Sequence, residues 1–120
     1  MESFSLHPGE KLLINDPYAM WMKTEMMAVM GTLKLTDKRL VFVKNANPLA
    51  GILQLFMKSQ RSHVLHDYPL ESIKSFSKEV HFKSVRIIID NGIDRPKKYT
   101  TSKIDSIEAE LKNHNVKIKE

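Results

Sequence analysis

The amino-acid sequence predicts a mainly β fold, α+β by content, in which about seven antiparallel strands form a partly open barrel that a C-terminal helix caps. Short apolar or alternating runs, bounded by turn residues, recur along most of the chain, as is typical of strands joined by hairpins. One apolar segment after the third run starts with a proline and predicts a short helical insertion. Near the end the apolar spacing changes to i, i+3 and i+7, which indicates an amphipathic helix.

Composition limits the class of protein. The chain has 120 residues, of which 42% are hydrophobic and 28% are charged, so a single folded domain spanning residues 1–120 is predicted. Its core is expected over about residues 10–112, followed by a flexible tail at residues 113–120. The absence of cysteine excludes disulfides, a thiolate nucleophile and Cys-ligated zinc.

The amino terminus and the hydropathy predict a location. The first residues lack the basic start and the apolar core of a signal peptide, which favours the cytoplasm. No run of about eighteen apolar residues occurs, so any membrane contact is expected to be peripheral. The net charge of +5 favours acidic partners, but the basic residues are spread along the chain, as on a solvated surface.

The first two predicted strands are long and irregular. Residues 10–15 open the domain, residues 15–17 mark a bend because of their proline, and residues 18–22 continue the strand. The second strand is predicted over residues 26–36. Gly31 lies at its centre, where a bulge or a close backbone approach would explain the missing side chain.

A hairpin follows directly. Leu33 and Leu35 alternate with polar residues and therefore share one face of the second strand. Asp37 and Lys38 are predicted to form the turn. Residues 40–43, which are β-branched or aromatic apart from one leucine, supply the third strand.

This hairpin resembles the core signature of the GRAM family, a branch of the pleckstrin-homology-like (PH-like) superfamily. The family pattern Gly-x-Leu-x-Leu-Thr-x-x-Arg-Leu-x-Phe is met here by Gly31, Leu33, Leu35, Thr36, Arg39, Leu40 and Phe42. The segment from Tyr68 to Ser75 looks like the family's Ile-Pro-Leu-x-x-Ile-x-x segment. The resemblance covers roughly residues 10–112 and implies a PH-like barrel that binds lipids or proteins and has no catalytic role.

The second half of the chain returns to strands. A short helix is predicted over residues 49–58, and strands are predicted over 63–70 and 71–80, with a bulge or strand change in the latter because its apolar residues share no strict period. Residues 84–90 are the clearest strand of this half.

The last elements are a hairpin and the closing helix. Asp90, Asn91 and Gly92 predict a tight hairpin whose two turn positions need positive φ. The partner strand is predicted over residues 93–101, and Pro96 inside it predicts an edge strand or a bulged one. Ser102 has capping-box spacing before a helix whose apolar face contains Ile104, Ile107 and Leu111.

The sequence predicts no enzyme, no cofactor, no metal site and no small-molecule substrate. Nucleophile-elbow, Walker and dinucleotide-binding motifs are absent. His63 and His66 lie three apart with Asp67 beside them, but on a strand they face opposite sides and cannot chelate one ion. Four acidic residues fall at predicted corners, where carboxylates cap turns, namely Asp16, Glu25, Asp37 and Asp67.

The apolar insertion is the main candidate for binding. It is apolar on nearly every side of a helical wheel, and a cationic pair follows it, as anionic lipid headgroups favour. The candidate binding residues are Leu49, Ile52, Leu53, Leu55, Phe56, Met57, Lys58 and Arg61. Three uses stay open, which are an interface with a protein partner or with a second copy in a homodimer, packing on the barrel, and shallow insertion into a membrane.

Two further features have weaker meanings. Residues 18–30 are rich in methionine, which can form adaptable binding surfaces, although gap-filling in the core is the favoured interpretation. Residues 97–99 together with Lys83 and Arg86 could form a basic patch on one side of the last hairpin. Such a patch would support weak binding to nucleic acid or to another anionic surface. The sequence disfavours nucleic acid, because the patch forms no groove with exposed aromatic residues.

Overall fold

The computed structural model describes residues 4–24, 26–44, 63–81 and 83–119. These residues form seven β-strands, one short 3-10 helix and one α-helix, which we label in chain order. They are β1 (Leu12–Met22), β2 (Ala28–Thr36), β3 (Arg39–Lys44), β4 (His63–Pro69), a 3-10 helix (Leu70–Ser72), β5 (Ser75–His81), β6 (Ser84–Asp90), β7 (Lys97–Thr100) and α1 (Ile104–Asn113).

All seven strands belong to one antiparallel sheet in the order β4-β3-β2-β1-β7-β6-β5. The two edge strands, β4 and β5, follow each other along the chain but do not pair, so the sheet curls without closing. The predicted fold class, seven antiparallel strands with a C-terminal helix, is confirmed. The predicted helical insertion at residues 49–58 lies outside the described residues.

A bulge in β1 explains the predicted bend. Pairing with β2 shifts register between Asp16 and Ala19, within a single strand. The buried Asp16 accepts hydrogen bonds from Tyr18 N at 3.0 Å, from Ser102 N at 3.1 Å and from the Thr101 hydroxyl. The carboxylate thereby ties the bulge to the chain that leads into α1.

Gly31 lies where β2 and β3 approach each other closely, which is one of the two explanations that the sequence suggested. A Cβ atom there would lie 2.5 Å from the carbonyl oxygen of Val43 and 2.6 Å from Cζ of Phe42. Both neighbours belong to β3, which pairs with β2 through this residue. A larger side chain would therefore push the two strands apart.

The core lies on the concave side of the sheet, beneath α1. Phe42, Phe76 and Tyr99 from three strands are fully buried, and Ile107 and Leu111 of the helix close over them. The i, i+3 and i+7 spacing thus predicted the buried face of α1 correctly. Val116, which follows α1, is also buried in this core.

The last hairpin differs from the prediction. β7 starts after Pro96 and pairs with β1 on one side and β6 on the other, so it is a central strand and not an edge strand. The connection is also longer than a tight turn. Asn91 Oδ1 accepts the N–H groups of Ile93 and Asp94 at 3.0 and 2.9 Å, and these bonds stabilise a wide loop in which only Gly92 has positive φ.

The predicted capping box is also wrong. α1 begins at Ile104 with Lys103 at its N-cap position, and no side chain caps it. Ser102 N bonds to Asp16, and the Thr101 hydroxyl accepts the Lys103 N–H at 3.1 Å. The tie to β1 therefore replaces the local cap.

Candidate functional site

Three connections emerge at the same end of the sheet, which we call the loop end. Met22 pairs with Lys98, so the β1–β2 loop (residues 23–27) and the β6–β7 loop (residues 91–96) are neighbours. Lys44, the last residue of β3, pairs with Gly31 and His63. The connection from β3 to β4 therefore also starts and ends here.

The two described loops expose apolar side chains at their tips. Met26 is 95% exposed, Met27 is 57% exposed and Ile93 is 86% exposed. The β1–β2 loop is pinned by a bond from Met26 N to the Thr24 hydroxyl and by reciprocal backbone bonds between Thr24 and Met27. Apolar groups held outward on pinned loops are typical of a contact surface.

This finding corrects the interpretation of the methionines. We expected them to fill gaps in the core, but Met26, Met27 and Met30 are exposed, and only Met20 and Met22 are partly buried. Met26 and Met27 are the last two residues of the β1–β2 loop, and Met30 lies on the exposed side of β2. Their place beside polar Lys23 and Thr24 was the available signal in the sequence.

A cleft of about 270 Å³ separates the two loops. It is lined by Trp21, Met22, Lys23, Thr24, Arg95, Pro96, Lys97 and Lys98. Lys23 and Arg95 are exposed, whereas Lys98 forms an ion pair with Glu79 at 3.0 Å. The loop end thus combines exposed apolar tips with a cationic, tryptophan-bearing cleft.

A cluster of aromatic rings lies beneath this cleft. The His66 ring is edge-on to Trp21, with centroids 4.3 Å apart, and stacks near Phe42 at 5.8 Å. Its Nδ1 lies 2.8 Å from the Tyr99 hydroxyl. Burial, with a smaller effect of Lys97, lowers the pKa of His66 to about 4. His66 is therefore neutral at pH 7, and its Nδ1 can accept a hydrogen bond from the Tyr99 hydroxyl.

The sequence argued against a metal site at His63 and His66. His66 faces the aromatic cluster, and the His63 side chain lies outside what the structure describes. Within the described residues no group of three His, Cys, Asp or Glu side chains is arranged to hold a metal ion. The same residues contain no helix that is long and apolar enough to cross a membrane.

A buried ion pair between Arg39 and Glu10 lies at the opposite end of the sheet. Together with Asp67 and Ser5, which also bind Arg39, we call it the arginine clasp. Arg39 Nε and Nη2 donate to the Glu10 carboxylate at 2.8 and 3.1 Å, Nη1 donates to Asp67 at 2.9 Å, and Nη2 donates to the Ser5 carbonyl at 2.7 Å. The Arg39 hydrogen bond, aided by one from the Thr36 hydroxyl, lowers the pKa of Glu10 to about 2. A carboxylate so fully occupied is suited to structure and not to acid–base catalysis.

The acidic residues predicted at corners have different roles. Asp37 lies in the β2–β3 turn, but its carboxylate accepts the Lys11 N–H at 3.0 Å from the segment before β1. The Thr36 hydroxyl caps the turn instead, because it accepts the N–H groups of Lys38 and Arg39. Asp16 is instead buried within β1, and burial, which raises its pKa, is outweighed by its three hydrogen bonds, so that its pKa is lowered. Asp67 belongs to the arginine clasp, and Glu25 lies outside the described residues.

All the candidate binding residues of the apolar insertion lie outside the described residues. These are Leu49, Ile52, Leu53, Leu55, Phe56, Met57, Lys58 and Arg61. The structure does describe the two residues that flank residues 45–62, and both lie at the loop end. The basic patch expected on the last hairpin does not form, because Tyr99 and Arg86 are buried and Lys98 is paired.

Comparison with known proteins supports the architecture. No protein-family model and no curated protein matches this sequence. Among solved structures, the N-terminal PH domain of Vps36 is similar with a TM-score of 0.62 and 18% identity, over 91% of this chain and 84% of that one. The linker-DH/PH structure of p115-RhoGEF has a TM-score of 0.55 and 13% identity, over 89% of this chain but 29% of that one. The chain therefore has a PH-like fold.

Proposed function

We propose that this protein is a non-catalytic, GRAM-like binding module that attaches peripherally to anionic membrane surfaces through its loop end. The observation that carries the proposal is the coincidence of three exposed apolar tips, Met26, Met27 and Ile93, with the exposed cations Lys23 and Arg95. Insertion of apolar side chains at the boundary between headgroups and acyl chains favours binding, and each cation near an anionic surface contributes about 1 kcal/mol to the binding free energy.

The family resemblance and the neighbours support a binding role. The hairpin pattern that includes Thr36 and Arg39 resembles GRAM domains, and the solved neighbours carry PH domains by their titles. The carboxylates at the arginine clasp and in β1 are occupied by hydrogen bonds, which leaves little for acid–base chemistry. Lys44 and His63, the described residues on either side of residues 45–62, lie at this end, which is why we include the apolar insertion in the proposed contact.

Vesicle sedimentation tests this proposal. We expect binding to vesicles that mix phosphatidylserine with phosphatidylcholine, weaker binding to phosphatidylcholine alone, and loss of binding as salt rises. Reversing both charges in Lys23→Glu with Arg95→Glu should weaken binding by roughly tenfold or more, since two contributions of about 1 kcal/mol are lost. Lys38→Glu, an exposed cation at the opposite end, is the matched control.

The apolar tips need their own variants. Met26→Asp with Met27→Asp should abolish sedimentation, whereas Tyr18→Asp, which changes a well-exposed ring on β1, should not. If wild-type protein fails to bind mixed vesicles at low salt, or if the double methionine variant binds as well as wild type, the proposal is wrong.

Self-association through the apolar insertion is the alternative role for the same segment. The sequence of residues 49–57, apolar on nearly every side, favours it. Solution mass of the wild type and of Leu53→Asp with Phe56→Asp separates the two. A dimer that the double variant reduces to a monomer would support self-association, and an unchanged mass in a folded variant would exclude it.

A further inference from the structure

β5 is an edge strand whose outer side can pair with another strand. In an antiparallel pair only alternate residues bond to the neighbouring strand, and the others direct their N–H and C=O groups to the opposite side. The β5–β6 register runs without a shift from Ser75 to His81. Phe76 directs its N–H and C=O groups away from β6, so by alternation Lys78 and Val80 do the same.

The chain's own tail already uses this edge. After α1, Asn115 turns the chain with a positive φ of 65° and Val116 is buried in the core. Phe76 N donates to the Lys117 carbonyl at 2.8 Å, and Lys119 N donates to the Phe76 carbonyl at 2.7 Å. Ile118 thereby forms a parallel bridge with Phe76. The tail therefore bonds to the outer side of β5 at Phe76 and runs parallel to β5 at that point.

Beyond the bridge the edge is open among the described residues. No backbone hydrogen bond joins Lys78 or Val80 to a described residue on the outer side. Val80 is 73% exposed and pairs with the partly exposed Val85. Beside them lies a cleft of about 490 Å³, lined by Lys78, Val85 and the residues from Ser102 to Ser106. Within the described part of the chain, this edge therefore presents free backbone groups and exposed apolar side chains next to each other, both of which an added strand could use.

The charges around this edge favour an acidic occupant. Four exposed lysines border it, two in the tail, one in the β5–β6 turn and one in the cleft: Lys83, Lys103, Lys117 and Lys119. Lys78 itself is paired with Glu108 at 3.1 Å, and Asp105 is the acidic residue that lines the cleft. Two copies of the edge would bring like charges together, which disfavours a second copy as the occupant.

We propose that the outer edge of β5 is a docking site for an extended, acidic peptide of a partner protein, which adds as a strand parallel to β5 at Lys78 and Val80. An apolar peptide side chain covers Val80 and Val85, and acidic side chains meet the bordering lysines. Main-chain hydrogen bonds supply the affinity and the pocket supplies the selectivity, as in other cases of strand addition. This site is separate from the loop end.

The probe is a fluorescein-labelled peptide of about nine residues that alternates valine and glutamate, a length sufficient to span the edge. We expect saturable binding, and at least about tenfold weaker binding of a matched valine–lysine peptide. A third peptide carries N-methyl groups on alternate residues, which block its backbone donors without changing charge. It should also bind at least about tenfold more weakly.

The matched protein variants are Val80→Pro and Val80→Thr. Proline removes the outward N–H, which β6 does not use, and is tolerated on an edge strand, whereas threonine keeps that donor. Val80→Pro should weaken binding about tenfold and Val80→Thr should change it by less than about threefold. Hydrogen exchange should slow at Lys78 and Val80 on addition of the peptide.

Several outcomes would overturn the proposal. Absence of binding by the wild type, equal binding of the N-methylated peptide, or unchanged exchange at Lys78 and Val80 would each exclude strand addition. If Val80→Pro does not fold, the N-methylated peptide and the exchange data still decide. A concentration-dependent dimer that the peptide dissociates would mean that the edge holds a second copy, against the proposal.

Discussion

Replacing Glu10 by glutamine should change how the stability of this protein depends on pH. The Glu10 side chain is inaccessible to solvent and accepts hydrogen bonds from the Arg39 guanidinium at 2.8 and 3.1 Å and from the Thr36 hydroxyl at 2.6 Å. Glu10→Gln keeps the shape and one acceptor oxygen but removes the charge. It leaves Arg39 with Asp67 as its remaining carboxylate partner.

The pKa of Glu10 gives the expected size of the effect. A fall from the usual 4.5 to about 2 corresponds to a stabilisation of at most about 3 kcal/mol at neutral pH, at about 1.4 kcal/mol for each unit. Because the folded pKa is the lower one, this stabilisation is complete above pH 4.5 and is lost as pH falls towards 2. At pH 3 about 1.4 kcal/mol of it should remain.

Urea unfolding at pH 7 and at pH 3 measures this difference. At pH 7 Glu10→Gln should be less stable than the wild type by about 3 kcal/mol, as expected when one partner of a buried ion pair is removed. At pH 3 the difference in the free energy of unfolding should shrink by about 2 kcal/mol. Other titrating groups, including Asp16, are present in both proteins and cancel from the comparison.

Glu71→Gln is the control, because Glu71 is an exposed acid in the 3-10 helix. Its stability should lie within about 0.5 kcal/mol of the wild type at both pH values. If the wild type and Glu10→Gln lose the same free energy of unfolding between pH 7 and pH 3, the Glu10 charge does not carry the stabilisation assigned to it.

Three more predictions follow from single contacts. Because burial lowers the pKa of His66 from 6.5 to about 4, the wild type should lose about 1–2 kcal/mol as pH falls from 7 to 5, and His66→Gln should lose less in the same urea titration. Gly31→Ala should destabilise by about 2–3 kcal/mol, since its Cβ meets Phe42, and adding Phe42→Leu should recover part of this loss in thermal unfolding. Asp16→Asn should cost about 1–3 kcal/mol and speed hydrogen exchange at the start of α1, because an amide cannot accept all three hydrogen bonds; unchanged exchange there would contradict the tie to β1.

The sequence predicted those parts of the fold that local periodicity controls. Leu33 and Leu35 alternate with polar residues and are buried on one face of β2, as the period of two requires. Ile107 and Leu111 are likewise buried at helical spacing. The glycine at position 31 predicted either a bulge or a close backbone approach, and the structure shows the close approach.

What the sequence could not predict depends on residues that are distant along the chain. Nothing near Glu10 shows that Arg39 reaches it across 29 positions, and nothing near Ser102 shows that its N–H bonds to Asp16. The prediction of an edge strand or a bulged one assumed that Pro96 lies inside the strand. In the structure a loop stabilised by the Asn91 side chain contains Pro96, and β7 begins at the next residue.

The candidate site was only partly predictable for a similar reason. The predicted site residues belong to the apolar insertion, and their role stays a prediction. Met26 and Met27 resembled core residues, because composition cannot distinguish a buried methionine from one at the tip of a loop. The difference depends on whether the backbone at that point forms a strand or a turn. Here the Thr24 hydroxyl accepts the Met26 N–H and helps to stabilise a turn.

The two ends of the sheet have different roles: one contributes to stability, and the other exposes side chains for contact with a partner. The arginine clasp lies at the β2–β3 end, while at the loop end the polar groups of the turns bond to their own loops, through Thr24, Asp90 and Asn91. Each loop is therefore held mainly by its own hydrogen bonds. Because its apolar tips are exposed, they contribute little to the stability of the fold. It follows that substitutions at Met26 or Ile93 should change surface binding while altering the free energy of unfolding by no more than about 0.5 kcal/mol. A larger loss of stability would mean that these side chains pack against the domain and are not free for a partner.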